Sequence, residues 1–415
     1  MKRAVSGNYD IIIAGGGLAG ASLALATSGS GLSVAVIEAH GVDAFPTAEP
    51  ERAIALSFGS RRYLEQLGVW EAIEGFGAAP IRQVRICEPG FPGVVQMRYT
   101  EAVRHGAGDM DALGHVVQNA HILHALYDAL PTGVAVLSPA RVQSLNMTDD
   151  SVHVNAVKNG RAVQLTGRLL VGADGTGSRI RRLCGIPSAG WDHNRFGVVA
   201  SIRPKIPHQG VAYECFCTSG PLAFLPLDDE RCSIVWTLTP RDAGRIMEMD
   251  DADFLHELQA AAGKDVRRRL GSLVGTGPRA CFAFEFRKAS RLSAARTVLI
   301  GNAAHTLHPV AGQGLNLGLR DVAVLTDVLR QAAEQKREID SPVVLEEYRQ
   351  RRMPDIMATA AFTEGLNSIF TNDFLPVKLA RRAGLAGLQR VSSLRNWLMC
   401  RAAGVSSLIP PVDAP

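Results

Sequence analysis

The sequence predicts an α/β fold: a doubly wound parallel sheet, interrupted by an inserted antiparallel sheet and followed by a helical tail. Three observations support this. Residues 9–38 read as strand, glycine loop, helix and second strand. Residues 297–321 read as a buried strand, a loop of small residues and a helix. Between them, residues 195–240 hold four strand-like runs at hairpin spacing, a texture unlike either flank.

Composition narrows the function classes. At 415 residues the chain has room for two or three domains. Hydrophobic residues at 47% and charged residues at 20% suit a soluble globular protein. A net charge of +4 is too small to imply a nucleic-acid partner. No apolar run approaches the ~20 residues of a membrane span. Lys2 and Arg3 precede an apolar segment, but Ile11–Ile13 run straight into Gly15-Gly16-Gly17, which leaves no signal-peptide core. The seven cysteines are scattered with no C-x-x-C pair, so reduced thiols in a cytoplasmic protein are expected.

Tyr9–Ala14 is expected as a buried strand and Leu18–Ser28 as a helix, with Gly15-Gly16-Gly17-Leu18-Ala19-Gly20 between them. Ser33–Ile37 gives the next strand, ending at Glu38. This is the Rossmann-type dinucleotide fingerprint with its parts in order. Gly15 makes the tight turn, Gly17 lets the main chain approach a pyrophosphate, and Gly20 brings helix and sheet together. Glu38 can accept hydrogen bonds from an adenosine ribose, and its charge disfavours a 2′-phosphate. Further on, Arg52 enters the apolar run Ala53–Leu56 and needs a partner if buried, either a phosphate or a carboxylate. A helix is expected over Ser60–Ile73, and another over Val116–Leu130 with Asn119 as its N-cap. Arg168–Ala173 is an apolar strand that ends in Asp174-Gly175-Thr176-Gly177. Such a turn is where open α/β sheets bind ligands, although Asp174 could equally serve only its own turn.

In the insert, strands are expected at Val198–Ile202, Val211–Thr218, Gly220–Pro226 and Arg231–Thr239. Tyr213, Phe216, Phe224 and Trp236 could supply an aromatic wall, and Tyr213, Phe224, Pro226 and Trp236 are the candidates for a substrate pocket; for each aromatic taken singly, sheet core is the better reading. A helix follows at Asp251–Ala262, and Ala280–Arg287 alternates as a strand with one apolar face. At Thr297–Ile300 the chain returns to a buried strand. Gly301-Asn302-Ala303-Ala304 supplies small residues for close ligand approach, Pro309 stiffens the loop, and Gly312 and Gly314 permit conformations that a side chain forbids. A helix beginning near Leu315 then presents N–H groups and a positive dipole end to an anion or an electron-rich ring. His305 and His308 have no third metal ligand nearby in sequence, and no metal site is expected.

Past Asp373 the tail holds no acidic residue until Asp413, while Lys378, Arg381, Arg382, Arg390, Arg395 and Arg401 lie among Leu, Val, Trp397 and Met399. A membrane-surface segment fits this pattern, as do a solvated helix face and an oligomer contact.

Taken together, GGGLAG at 15–20, GADGTGSRIR at 172–181 and GNAAHTLHPVAGQGLNLGLRD at 301–321 resemble the class A flavoprotein aromatic monooxygenases, the para-hydroxybenzoate hydroxylase fold. RAIALS at 52–57, GPLAFLPL at 220–227 and RCSIVW at 231–236 are similar to the ubiquinone-biosynthesis hydroxylases within that class. The resemblance implies one FAD, with NAD(P)H as a transient reductant. It assigns Gly15, Gly17, Gly20 and Glu38 to the ADP half, Arg52 and Asp174 to the pyrophosphate and reductant side, and Gly301 and Asn302 to the ribityl region. Pro309, Gly312, Gln313, Gly314, Leu315 and Asn316 would face the flavin ring, and His305 is a candidate catalytic contact. The class usually has Asp after Gly301; Asn302 keeps an acceptor but loses the charge-assisted bond.

The implied reaction is hydroxylation of a polyprenyl phenol, 2-polyprenyl-6-methoxyphenol, by O2 through a flavin C4a-hydroperoxide. The alternatives are a small soluble aromatic substrate, or a non-catalytic FAD-binding scaffold in a quinone-biosynthesis complex. An insoluble substrate and a basic tail together suggest a cytoplasmic protein held peripherally at the inner membrane. The expected boundaries are 1–80, 106–188 and 288–340 for the FAD-binding domain, 81–105 and 189–287 for the substrate sheet, and 341–415 for the helical region.

Overall fold

The protein is described by a computed structural model that covers residues 7–42, 53–88, 94–104, 109–217, 219–307, 312–372 and 374–405. Arg52, His308 and Pro309 lie outside the described residues.

The first sheet has a parallel core. Strand Asn8–Ala14 pairs on one side with Arg161–Gly172 and on the other with Val34–Ile37. Thr297–Leu299 joins beyond Arg161–Gly172, and Ala135–Leu137 beyond Val34–Ile37. Ile11, Ile12 and Ile13 are all fully buried, so this strand is covered on both faces. The helices Leu18–Thr27 and Gln313–Glu334 supply cover and share its hydrophobic cluster. The long strand Arg161–Gly172 also continues into an antiparallel meander with Val152–Lys158 and Ala140–Met147.

The second sheet is largely antiparallel and runs in the order His305–Thr306, Ala280–Ala289, Ser188–Pro204, Cys232–Leu238, Gly220–Pro226, Val211–Cys217, Gln83–Cys87 and Val94–Arg98. Among the described residues its one parallel pairing, Val211–Cys217 with Gln83–Cys87, ties the strands Gln83–Cys87 and Val94–Arg98 to the insert. Helices Pro240–Glu248 and Asp251–Leu270 cover one face with Ile246, Phe254, Leu258 and Val266. A three-stranded sheet of Ala53–Ser57, Gly114–Gln118 and Ala78–Ile81 lies between helix Gln313–Glu334 and strand Gly220–Pro226 of the second sheet.

Several local expectations shift. The helix expected over Ser60–Ile73 is two helices, Phe58–Gln66 and Trp70–Gly77, parted where Gly68 takes φ +72°. Asn119 is the first helical residue, and Gln118 occupies the cap. The helix from Asp251 extends to Leu270 across a kink at Gly263, φ +80°.

Helix Pro342–Thr371 is held to Gln313–Glu334 by buried charge pairs, Arg352 with Asp321 and Arg320 with Asp355. The last helices, Leu375–Arg390 and Ser392–Ala402, lie against strand Val94–Arg98 of the second sheet. Here the basic tail differs from a free cationic face. Arg381 is buried and donates to Glu88, Arg382 donates to the same carboxylate, and Arg395 pairs with Glu101. Three of the tail's cations therefore anchor it to the protein.

Candidate active site

The fingerprint loop is built by exclusion. Gly15 has φ +103°, and a Cβ there would lie 2.4 Å from the Ala173 carbonyl oxygen. At Gly20 a Cβ would lie 1.9 Å from the Gly15 carbonyl oxygen, so only glycine lets the helix start this close to the strand. A Cβ at Gly17, by contrast, would meet nothing within 4 Å, so the loop is open on that side. Gly17 caps Leu18–Thr27 without a side-chain acceptor, leaving the helix's first N–H groups available. Glu38 sits beneath: it accepts from the Gly16 N–H at 2.6 Å and from the His40 N–H at 2.8 Å. The Tyr127 hydroxyl donates to the Gly16 carbonyl at 2.8 Å. The carboxylate thus reaches the loop through one oxygen's bond to Gly16, and it retains acceptor capacity.

Asp174 is used by its own turn. It accepts from the Ser178 hydroxyl and from the Arg179 and Ile180 N–H groups, and so ties off the helix Arg179–Leu183. The neighbouring Arg181 has the integrating role. This buried guanidinium donates to the Ala303 carbonyl at 2.8 Å and to the Thr176 carbonyl at 2.9 Å, joining the second loop to the third. Thr306 bonds Thr176 across the same seam. Sequence reading passed over Arg181, whose partners lie in two other loops.

The third loop hangs from Asp321. This carboxylate is fully buried; it accepts from the Gly301 N–H at 2.9 Å, from His305 Nε2 at 2.6 Å and from Arg352 Nε at 2.7 Å. Burial opposes its charge, but His305 and Arg352 beside it win and hold it at about 2. His305 is itself fully buried with its ring committed to Asp321. Its Nε2 is engaged by Asp321 and its Nδ1 is buried without a partner among the described residues. Gly301 takes φ +57°, and a Cβ would approach that of Ala19 to 3.2 Å. The side chain of Asn302 is exposed on the same short turn.

Helix Gln313–Glu334 begins at Gly312, which has φ +62° and no side-chain cap, so a second set of helix N–H groups is available. Gly314 faces open space, while Gln313 is buried and Leu315 partly so. Asn316 serves the frame. Its amide oxygen accepts from the Ser57 N–H at 2.9 Å, and its NH2 donates to the Ala55 and Gly312 carbonyls at 3.0 and 2.7 Å. It pins the helix start to strand Ala53–Ser57, and any flavin contact at this position falls to the main chain.

The wall residues require a correction. Tyr213, Phe224 and Trp236 are 3%, 0% and 2% exposed and pack in the cluster with Phe254 and Leu258. Pro226 is buried, and strand alternation puts it on the same face as Phe224. All four therefore face the covering helices. The opposite face carries Ala212, Glu214 and Phe216, then Ala223, Leu225 and Val235. This face turns toward helix Pro342–Thr371 and strand Ala53–Ser57: Phe216 stacks on Phe370 with ring centroids 3.3 Å apart, and Ala212 and Leu225 join the cluster that takes in Ala53 and Ala55.

The residues fit a dinucleotide flavin. Two uncapped helix starts, open space at Gly17 and Gly314, and a carboxylate at the end of strand Val34–Ile37 with acceptor capacity to spare are what such a group needs. A parallel-sheet cradle of this kind, roofed by an inserted sheet, defines an FAD-dependent aromatic monooxygenase. The chain belongs to the family described as FAD binding domain, which matches residues 8–363. Ubiquinone hydroxylase UbiL of Rhodospirillum rubrum is 33% identical over 404 residues, covering 97% of this chain and 91% of that protein. The 3-demethoxyubiquinol 3-hydroxylase of Escherichia coli is 31% identical, covering 95% and 98%. Among solved structures, p-nitrophenol 4-monooxygenase PnpA of Pseudomonas putida superposes with a TM-score of 0.78 at 18% identity, covering 97% of this chain and 99% of that one; at that identity the likeness shows the fold. FAD is the cofactor, with NAD(P)H as reductant and O2 and an aromatic compound as substrates.

Proposed function

We propose that this enzyme hydroxylates the ring of a polyprenyl phenol, 2-polyprenyl-6-methoxyphenol, in ubiquinone biosynthesis. The observation that carries the reading is the apolar inner face of the inserted sheet, set against an uncapped helix start, in a chain similar over nearly its whole length to ubiquinone hydroxylases. Bound FAD would supply electrons from NAD(P)H to O2 and transfer one oxygen atom to the ring. The chain's own residues prepare that step. Main-chain N–H groups at Gly17 and Leu18 bind the pyrophosphate, and Glu38 takes the ribose hydroxyls. The helix start at Gly312–Leu315 stabilises negative charge on the flavin ring. Phe216, Leu225 and Val235 keep water from the reacting face.

The tail supports access to an insoluble substrate. Phe374 and Leu375 are 66% exposed and Trp397 58%, with Leu379, Val391 and Leu394 also exposed. Among the described residues no helix is long and apolar enough to cross a membrane. These side chains, with the exposed Arg390 and Arg401, suit shallow contact with an anionic leaflet, which would hold the enzyme peripherally at the inner membrane beside its substrate and other quinone-biosynthesis proteins. Mass spectrometry of quinone intermediates in a deletion strain tests the reading. Accumulation of 2-polyprenyl-6-methoxyphenol under aerobic growth is expected, and unchanged ubiquinone would overturn it.

A further inference from the structure

Glu214 is the one acidic side chain on the inner face of strand Val211–Cys217. Its strand neighbours on that face are Ala212, which reaches the cluster holding Ala53 and Ala55, and Phe216, which stacks on Phe370. Ala55 in turn is where Asn316 and Gly312 close on strand Ala53–Ser57. The carboxylate therefore stands on the wall that continues to the flavin-side helix start. Across the sheet it is flanked by Ile86 on one strand and Ala223 then Val235 on the next two, all apolar. No hydrogen bond or ion pair to it is found among the described residues. Other carboxylates near this sheet are paired: Asp265 with Arg85, Glu88 with Arg381, Glu101 with Arg395. Glu214 is only partly buried, so water can reach it, and a ligand that displaces that water must supply a donor in its place.

We propose that Glu214 is a catalytic residue that binds the phenol hydroxyl and takes its proton. The inference rests on the phenol-hydroxylase reading above. In the step, the phenol O–H bond breaks and a carboxyl O–H bond forms. The electron pair left on the phenolate oxygen raises electron density at the ring carbon that accepts oxygen. No electron is exchanged with the protein.

The electrostatics agree with this role. Desolvation pushes the Glu214 carboxyl up to about 7, so base and acid forms are both accessible near neutral pH. Among ionisable groups on the packed elements, Cys217 is driven to about 12 and Cys215 well above the ordinary thiol value, His115 falls to about 4, and Glu88 and Arg381 bond each other. The His193–Glu364 pair lies on strand Ser188–Pro204 and helix Pro342–Thr371; burial raises the Glu364 carboxyl as well, and a pH limb due to that group would persist in E214Q.

The test uses FAD-loaded enzyme, NAD(P)H and a short-chain 2-prenyl-6-methoxyphenol. In the wild type, kcat/KM should rise with pH through about 7. E214Q should bind FAD normally, lose about 10²–10⁴-fold in kcat/KM, and lose that pH limb. E214D, should E214Q not fold, should keep the limb at a reduced rate. A wild-type rate and pH profile in E214Q, or in the wild type a profile flat across neutral pH, overturns the proposal. A wild-type enzyme that binds FAD but hydroxylates no prenyl phenol instead overturns the substrate reading, a distinct result.

Discussion

Replacing Asp321 with Asn keeps the side chain's shape and removes its charge. The carboxylate is fully buried, and each oxygen faces donors: Gly301 N–H and His305 on one, Arg352 on the other. An amide must therefore turn its own NH2 toward a donor, and Arg352 loses a buried counter-charge. Arg352 keeps Asp355 at 2.8 Å, which limits the damage. Breaking a buried pair costs about 3–5 kcal/mol, and the remaining partner places D321N near the lower end, at about 3 kcal/mol. The lowered carboxyl value, set by the same two neighbours, gives a second magnitude of the same order. The step from the ordinary carboxylate value of 3.8 to about 2 in the folded protein corresponds to about 2.5 kcal/mol at neutral pH. Because the folded value is depressed, this contribution is complete above about pH 4 and is lost as pH falls toward 2. Denaturant unfolding of FAD-saturated wild type and D321N at pH 7.5, followed by circular dichroism and flavin fluorescence, measures the loss. Weaker FAD binding should accompany it, since Gly301 is no longer anchored. A change under about 1 kcal/mol with unaltered FAD affinity would refute the reasoning.

Three further perturbations follow from the same geometry. G20A pushes a methyl into the Gly15 carbonyl and should abolish FAD retention, read as the flavin-to-protein absorbance ratio after purification. N316A removes three hydrogen bonds and should cost about 1–3 kcal/mol; N316D, which sets a carboxylate against the Ala55 and Gly312 carbonyls, should cost at least as much in thermal unfolding. Replacing Phe374, Leu375 and Trp397 together with Ser should leave FAD content unchanged and reduce co-sedimentation with anionic lipid vesicles several-fold; unchanged sedimentation would remove the tail from the account.

Much of the architecture was legible because its signals are local. Gly15, Gly17 and Gly20 answer steric demands within a few residues of one another, and Ile11–Ile13 announces a strand covered on both faces. What stayed hidden depends on contacts across long stretches of chain. Alternation shows that Tyr213 shares a face with Cys215 and Cys217, but not which face meets the flavin domain; that depends on where helices Pro240–Glu248 and Asp251–Leu270 fold back. Tyr213, Phe224 and Trp236 drew attention to the covered face, Phe216 alone among the aromatics pointed to the inner one, and Glu214 beside it went unremarked. Likewise Asp174 and Asn316 were legible as members of the cradle, while their bonding to Ser178 and to Ser57 and Ala55 required the fold. Arg381 and Arg395 looked like free charge only because Glu88 and Glu101 lie nearly three hundred residues away in sequence.

The most direct test supplies the reconstituted FAD enzyme with NAD(P)H, 18O2 and 2-polyprenyl-6-methoxyphenol in detergent, and weighs the product. The account predicts one hydroxyl added to the ring, carrying one 18O atom. Absence of ring hydroxylation, or a hydroxyl drawn from water, would contradict it.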